Sequence, residues 1–365
     1  MGVVAHALWL LGCGGFVVCH VPLSKIDGFD YGHTRHFSTP HFPDMSTTKP
    51  EILVVMPLPP YARTQLELHY VVHDRTHQTD PQAFAGVASS IRAIVGSGEA
   101  RVPRELMLQM PSLKMVSVIG VGYDGVDTVA ANEMGIKVTH TPDVLNDDVA
   151  DLALGLMLCA ARKLPQADQY VRQGQWLAKG PMPLARKVSG SRVGIVGMGR
   201  IGKTIAKRCA AFDMEISYTA RSAKSDLPFT FYASAKELAA NVDFLVVITP
   251  GGAGTKGMIN AQVLAALGKG KGEGYLINVA RGTVVDQPAL IHALQAGVIA
   301  GAGLDVFDGE PTVPEAFFTM DNVTLAPHVG SATNATRKAM ADLALLNLAN
   351  FYAGKSLVTP VPECQ

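Results

Sequence analysis

Short β-branched runs alternate with helical patterns along most of this chain. The run Glu51-Ile52-Leu53-Val54-Val55-Met56 is apolar throughout and is closed by Pro57, Pro59 and Pro60, so it predicts a buried strand. Ile91-Arg92-Ala93-Ile94-Val95 leads into the turn Gly96-Ser97-Gly98, and Met115–Ile119 leads into Gly120-Val121-Gly122. Lys137–Thr141 then stops at Pro142. Helical spacing lies between these runs, as over Val102–Met110. Strands alternating with helices imply a parallel sheet, because parallel neighbours need a long crossover between them.

A long helix is predicted next. Asn146-Asp147-Asp148 offers a cap and an acidic first turn, which favours the positive end of the helix dipole. Leu152, Leu154, Leu156, Met157, Leu158 and Ala161 then occupy most faces, so this helix is expected to be buried between neighbours. A second alternating passage starts at Ser191–Val196. It continues through strands at Glu215–Thr219, Phe244–Ile248, Tyr275–Val279, Gly301–Val306 and Val323–Leu325. A final amphipathic helix over Asn334–Tyr352 is expected to return to the first unit. The whole reads as α/β, with two doubly wound, Rossmann-like parallel-sheet domains, and 365 residues exceed what one compact core usually holds.

Residues 1–44 do not fit this pattern. Their apolar runs Ala7–Leu11 and Gly15–Val18 are broken by Gly12 and Gly14 and flanked by His6 and His20, with no preceding Lys or Arg and no clear cleavage site. His33, His36 and His41 have no credible set of metal-ligand partners. This stretch is expected to be disordered or an upstream mis-start, with a targeting segment as the alternative.

Composition narrows the function classes. Lys+Arg equals Asp+Glu at 31 each, and no basic stripe stands out, which excludes an electrostatically driven nucleic-acid or anionic-membrane binder. Five cysteines form neither a CxxC pair nor a dense framework, as expected of reduced thiols in a cytoplasmic protein. No transmembrane run and no metal-ligand cluster is visible.

The most specific signal is Val193-Gly194-Ile195-Val196-Gly197-Met198-Gly199-Arg200-Ile201-Gly202, a strand, a glycine turn and a helix start in one passage. Such glycines allow the tight turn, close approach of the backbone to a pyrophosphate and close helix–strand packing, while the helix N-terminus offers free N–H groups to phosphates. Gly197, Gly199, Arg200, Ile201 and Gly202 are therefore cofactor-site candidates. An NAD site usually carries an acid about 20 residues beyond the glycines to hold the ribose hydroxyls. Here the next strand runs into Thr219-Ala220-Arg221-Ser222, without an acid. Arg221 can pair with a 2′-phosphate and Ser222 can hydrogen-bond it, so NADP(H) is favoured over NAD(H).

Three further residues fall just past predicted strands: Arg281 after Asn278-Val279-Ala280, Glu310 after Leu304–Gly309, and His328 after Leu325-Ala326-Pro327. Ligands in open parallel sheets bind beyond the carboxyl ends of strands. Singly, each has a structural alternative: a strand-turn cap, a surface carboxylate, a packed histidine. Together they match carbonyl reduction, with a histidine acid, a carboxylate that keeps it charged and an arginine for a carboxylate substrate.

These motifs, with Ala326-Pro327-His328-Val329-Gly330-Ser331-Ala332-Thr333, resemble the D-isomer-specific 2-hydroxyacid dehydrogenases in order and spacing, over about Pro50 to Val361. Within that family the chain is most similar to glyoxylate/hydroxypyruvate reductases and their 2-ketogluconate- and hydroxyphenylpyruvate-reducing relatives. The resemblance implies a substrate domain from 50–145 plus 331–365, a dinucleotide domain over 146–330, a cleft between them and a homodimer. It implies that Arg281, Glu310 and His328 reduce a 2-keto acid, and that Ser97, Val121 and Gly122 help hold its carboxylate. Thr249, Pro250, Val279, Ala280, Asp305 and Gly330 would join the cofactor site, Asp305 at the nicotinamide carboxamide. Trp176 falls where such reductases place an indole that reaches the partner's site, though a core position is an equal reading. Two rivals remain: a dinucleotide-sensing, corepressor-like scaffold on the same fold, and a formate dehydrogenase-like enzyme. The latter family has Gln where Glu310 stands.

Overall fold

The computed structural model describes residues 49–364, and the extension over 1–44 lies outside them. Twelve strands form two parallel sheets. The first holds β1 (Glu51–Val54), β2 (Val71–Asp74), β3 (Ala93–Ser97), β4 (Met115–Ile119) and β5 (Lys137–Thr139), in the order β2-β1-β3-β4-β5. The second holds β6 (Arg192–Val196), β7 (Glu215–Thr219), β8 (Thr230–Phe231), β9 (Phe244–Val247), β10 (Tyr275–Asn278), β11 (Gly301–Leu304) and β12 (Val323–Leu325). Their order is β12-β11-β10-β9-β6-β7-β8. Each sheet reverses direction once, beside β1 in the first and beside β6 in the second. Such a reversal opens a crevice at the carboxyl ends of the strands.

Nine of the predicted strand runs match in place and overrun by at most two residues at one end, whereas the run at Ile91–Val95 is displaced, because β3 starts at Ala93 and continues through Gly96 to Ser97, two residues expected in the turn. Backbone pairing stops where the chain turns towards the crevice. Two strands escaped the sequence pattern. β2 is an edge strand with no buried residue, so its Val-Val-His-Asp lacks an apolar run, and β8 is only two residues long.

The long helix spans Asn146–Arg162 and buries nine of its residues, as its apolar faces predict. It packs on β10, β11 and the helix Arg200–Ala210. Its cap differs from expectation: Leu145 holds the N-cap position and no side chain caps it, so Asn146 already belongs to the first turn. Asp147 and Asp148 still lie in that turn, and Arg208 of the neighbouring helix pairs with Asp147 and Asp151. The last helix, Asn334–Tyr352, matches its predicted limits and packs on β4 and on the helix Pro60–His69. Leu345 and Leu348 meet Ala62 and Leu66 there, and Tyr61 donates to Asp342 at 2.7 Å. The C-terminal helix thus belongs with the N-terminal sheet, and the chain crosses between the two sheets twice. Among the described residues, no helix is long and apolar enough to cross a membrane.

Candidate active site

The glycine turn shows a division of labour. Gly197, at the carboxyl end of β6, has φ +106° and passes so close to β9 that a Cβ would sit 2.8 Å from the Ile248 carbonyl oxygen. A side chain there would be strained and obstructed. Gly202 lies inside the following helix, where a Cβ would come within 2.1 Å of the Gly197 oxygen. Only hydrogen lets this helix sit against the turn. A Cβ on Gly199, by contrast, would meet nothing within 4 Å. Gly199 holds the N-cap position of the helix Arg200–Ala210, so no side chain caps the first-turn N–H groups. This cradle fits a pyrophosphate.

The other cofactor candidates lie directly after the carboxyl ends of neighbouring strands of the same sheet or at the start of the helix. Arg221 and Ser222 are exposed just beyond β7, and Thr249 and Pro250 follow β9. Val279 and Ala280 are buried after β10. Arg200 begins the helix at the cradle, and its guanidinium pairs with Asp143 of the crossing segment at 3.0 Å. Ile201 is half-buried against the core.

His328 stands on a constrained loop after β12. Its φ is +54°, a left-handed value that costs a non-glycine residue of order 1 kcal/mol and has to be held in place by its surroundings. Asp305 supplies the hold. Its backbone oxygen accepts from the His328 N–H at 2.8 Å, and its carboxylate oxygens accept from the Val329 and Gly330 N–H groups at 2.7 and 2.9 Å. Burial nonetheless pushes the Asp305 carboxyl above its usual range. Asp305, expected at the nicotinamide, is therefore first of all the fastening of the histidine loop. Its oxygens retain lone pairs for a second partner.

Glu310 reaches His328 Nδ1 at 2.7 Å, and its other oxygen accepts from the Phe307 N–H at 2.7 Å. Because Nδ1 gives its hydrogen to a carboxylate, Nε2 is left as the position of the transferable proton. The hydrogen bond to Glu310 raises the His328 pKa against the opposing effect of burial. Burial works against the charge on Glu310, but the bonds from His328 and from the Phe307 N–H outweigh it and hold the carboxyl below its usual range. Both shifts favour imidazolium beside carboxylate.

Arg281 leaves the end of β10 on a turn shaped by Asn278, whose side chain accepts from the Ala280 N–H and donates to the Arg281 oxygen. The guanidinium crosses to the first sheet. Its Nε donates to Asp124 at 3.2 Å, and it occupies the space where a Gly122 side chain would be: a Cβ there would lie 1.6 Å from an Arg281 nitrogen. Gly98 and Gly120 pack closely against each other nearby, a Gly120 Cβ falling 2.8 Å from Gly98 Cα, while a Gly98 Cβ would lie 3.8 Å from the same guanidinium. The Ser97 and Gly122 loops thus converge with Arg281, Glu310 and His328 across the cleft. Val121 points its carbonyl to His140 Nδ1 at 2.9 Å.

Sequence reasoning missed three members of this group. Asp124 steadies Arg281, Asn278 shapes its turn, and Glu99 lies 3.1 Å from His328 Nδ1. Asp124 and Glu99 had a usable signal, since both are acids just beyond the carboxyl end of a strand. Asn278 had a weaker one, an amide at the last position of an otherwise apolar strand.

Two parallel sheets, a phosphate-binding turn, and an acid–base pair beside an arginine define a nucleotide-dependent oxidoreductase acting on a carboxylate substrate. The chain belongs to the D-isomer-specific 2-hydroxyacid dehydrogenases. The family's NAD-binding domain model matches residues 154–330. The hydroxyphenylpyruvate reductase of Plectranthus scutellarioides is 47% identical over 311 residues, which cover 85% of this chain and 98% of that protein. Glyoxylate/hydroxypyruvate reductase A of Arabidopsis thaliana is 44% identical with the same coverage of both chains. A solved structure of the NADPH-dependent glyoxylate/hydroxypyruvate reductase of Sinorhizobium meliloti, in complex with NADP and malonate, superposes with a TM-score of 0.80. It is 44% identical and covers 87% of this chain and 98% of its own. The protein is accordingly a 2-hydroxyacid dehydrogenase that uses a nicotinamide dinucleotide.

Proposed function

We propose that this protein reduces small 2-keto acids, glyoxylate and hydroxypyruvate first, to D-2-hydroxy acids with NADPH, and that His328 is the general acid. The observation that carries the reading is the hydrogen bond from His328 Nδ1 to Glu310, made beside an Arg281 guanidinium that reaches over to Gly122. When bound, the reduced nicotinamide supplies the hydride for C2 of the keto acid. The protein's residues do the rest. Arg281 binds the substrate carboxylate and polarises the carbonyl, with Ser97 and Gly122 closing the far side. His328 donates the Nε2 proton to the carbonyl oxygen as negative charge grows there, and Glu310 holds the ring oriented and charged. Gly197, Gly199 and Gly202 would hold the pyrophosphate, and Asp305 would take the carboxamide on its remaining lone pairs.

The preference for NADPH rests on Arg221 and Ser222 at the end of β7, with no acid in that turn. The relatives named above act on glyoxylate, hydroxypyruvate or hydroxyphenylpyruvate by their names, which supports the substrate class. Hydroxyphenylpyruvate or 2-ketogluconate is the runner-up. The substrate domain is assigned to 50–145 plus 331–365 and the dinucleotide domain to 146–330. A homodimer is supported by the apolar arm that follows the long helix, where Trp176 is 64%, Leu177 95% and Leu184 100% exposed. This exposure favours a partner-facing Trp176 over a core one. Cys159, Cys209 and Cys364 carry free thiols, in keeping with a cytoplasmic setting.

The test is initial-rate oxidation of NADPH and of NADH with glyoxylate, hydroxypyruvate, 2-ketogluconate and hydroxyphenylpyruvate. Fast turnover with NADPH on glyoxylate or hydroxypyruvate is expected. Tight dinucleotide binding without turnover on any keto acid would overturn the reading in favour of a sensing scaffold.

A further inference from the structure

The first sheet contributes a carboxylate to the histidine. Glu99 follows β3 in the turn made by Gly98 and Glu99, and the end of the strand and the turn are tightly packed. A Gly96 Cβ would fall 2.4 Å from the Ala100 Cβ, and the Ser97 hydroxyl accepts from the Glu99 N–H at 3.3 Å while donating to the Met56 sulfur at 2.8 Å. The turn sends the Glu99 carboxylate over the cleft to 3.1 Å from His328 Nδ1, where Glu310 is already bonded at 2.7 Å. One N–H cannot be shared equally by two carboxylates. Glu310 is the fixed acceptor, because its other oxygen is held by the Phe307 N–H. Glu99 has no such anchor on its carboxylate and is half exposed, so it acts on the ring through charge and proximity.

We propose that Glu99 is a positioning residue for the reaction: it is a second carboxylate on the Nδ1 side of His328, delivered by the opposite sheet, so that the proton affinity of the general acid depends on the two sheets facing each other. This rests on the reading of His328 as the proton donor. The charges that face the imidazole are Glu310 on its own side, Asp305 beneath the loop, Glu99 from the first sheet and Arg281 from β10. Arg281 opposes protonation, and Glu310 and Glu99 favour it. Glu310 and Glu99 differ in kind. Glu310 and His328 lie beyond the ends of the neighbouring strands β11 and β12 of one sheet, so their contact does not cross the cleft. Only Glu99 reports the approach of the other sheet, and the loop that carries it also carries Ser97 and Gly98 beside the Arg281 guanidinium. Substrate captured between Arg281 and that loop would hold Glu99 against His328, so that protonation of the acid and capture of the keto acid support each other.

The expected effect is modest, because a half-exposed carboxylate is screened by solvent. In Glu99→Gln, the basic limb of kcat/KM for reduction moves to lower pH by about half a unit, a loss of roughly threefold on that limb. Glu310→Gln moves the same limb further, because it removes the hydrogen bond as well as the charge. An Ala substitution at Glu99 behaves as Gln does if charge is the agent. The direct readout is the imidazole of His328, titrated by NMR in the full-length protein with ring signals assigned through His328→Gln. Its midpoint falls in Glu99→Gln if the proposal holds. A midpoint and a basic limb that coincide with wild type would overturn the role of Glu99. A midpoint that falls while no keto acid is turned over by the wild type would uphold the contact and overturn the catalytic reading instead.

Discussion

Gly122→Ala is the most pointed perturbation the site allows, because it changes one methyl group at a place where the consequence is geometric. The added Cβ would lie 1.6 Å from an Arg281 nitrogen and 2.7 Å from its Cζ. A carbon–nitrogen contact relaxes at about 3.5 Å, so the guanidinium has to retreat by about 2 Å. Arg281 is the far end of a flexible side chain, so it is Arg281 that moves and not the sheet. The methyl also crowds the Asp124 carboxylate, whose Oδ1 would be 3.0 Å away, so the bond that steadies Arg281 weakens at the same time. A charged hydrogen bond to a substrate carboxylate is worth roughly 1.5–3 kcal/mol, and displacement of a positioning group by 1 Å alone can cost about a hundredfold. The expected result is a fall in kcat/KM for glyoxylate of about 10- to 100-fold. Most of it should appear as a raised keto-acid KM, and the KM for NADPH should move little. Thermal melting should remain within a few degrees of wild type, since the displaced group is a side-chain tip at a solvent-facing cleft. The assay is full steady-state kinetics in both substrates alongside a melt. A folded Gly122→Ala protein with wild-type keto-acid KM and kcat would refute the placement of Arg281 against Gly122 as the substrate-binding arrangement.

The pairing of Glu310 with His328 predicts a stability signature as well as a kinetic one. The raised His328 pKa contributes stability fully present below its ordinary value of 6.5 and lost as pH rises through the raised value, whereas the lowered Glu310 pKa contributes stability present above 4.5 and lost as pH falls. The urea midpoint of wild type should therefore exceed that of Glu310→Gln most clearly between about pH 4.5 and 6.5, and a difference independent of pH would contradict the ion pair. Arg221→Ala should raise the KM for NADPH by about tenfold and leave that for NADH nearly unchanged, given the strength of arginine–phosphate bonds. An equal effect on both cofactors would remove Arg221 from the 2′-phosphate. Thr333 caps the final helix through the Thr336 N–H and donates to Asp148 at 2.6 Å, so Thr333→Ala should cost about 1 kcal/mol and lower Tm by roughly 2 °C, measured by calorimetry.

Much of this was legible before any coordinates, and the legible parts share a cause. Buried parallel strands are rich in apolar and β-branched residues, so ten of the twelve were legible, and the two that were not, β2 and β8, each lie at one edge of a sheet and are unburied or two residues long. The glycine turn was readable because its geometry demands particular residues at Gly197 and Gly202. Arg281, Glu310 and His328 were readable because each stands just past a strand, where chemistry gathers in this architecture. What stayed hidden were relations between distant stretches of chain. Nothing local to Arg200 says that Asp143 will claim it, and nothing in Gly122 says that a guanidinium from 159 residues further on will fill its side-chain space. The same holds for Glu99, whose place just past β3 marks it as a candidate but does not name His328 as its partner.

These hidden relations have a direction in common. Glu310, Asp305 and Asn278 hold His328 and Arg281 from within the second sheet, through strands and loops that are neighbours by construction. Asp124 and Glu99 reach the same two residues from the first sheet, and they make only partly exposed contacts. His328 and Arg281 therefore make all of these ion pairs only when both sheets contribute. A site that distributes its bonds in this way favours full assembly when the cleft is closed around a carboxylate. The chain achieves it with two acids and three glycines at the ends of β3 and β4, without any additional element.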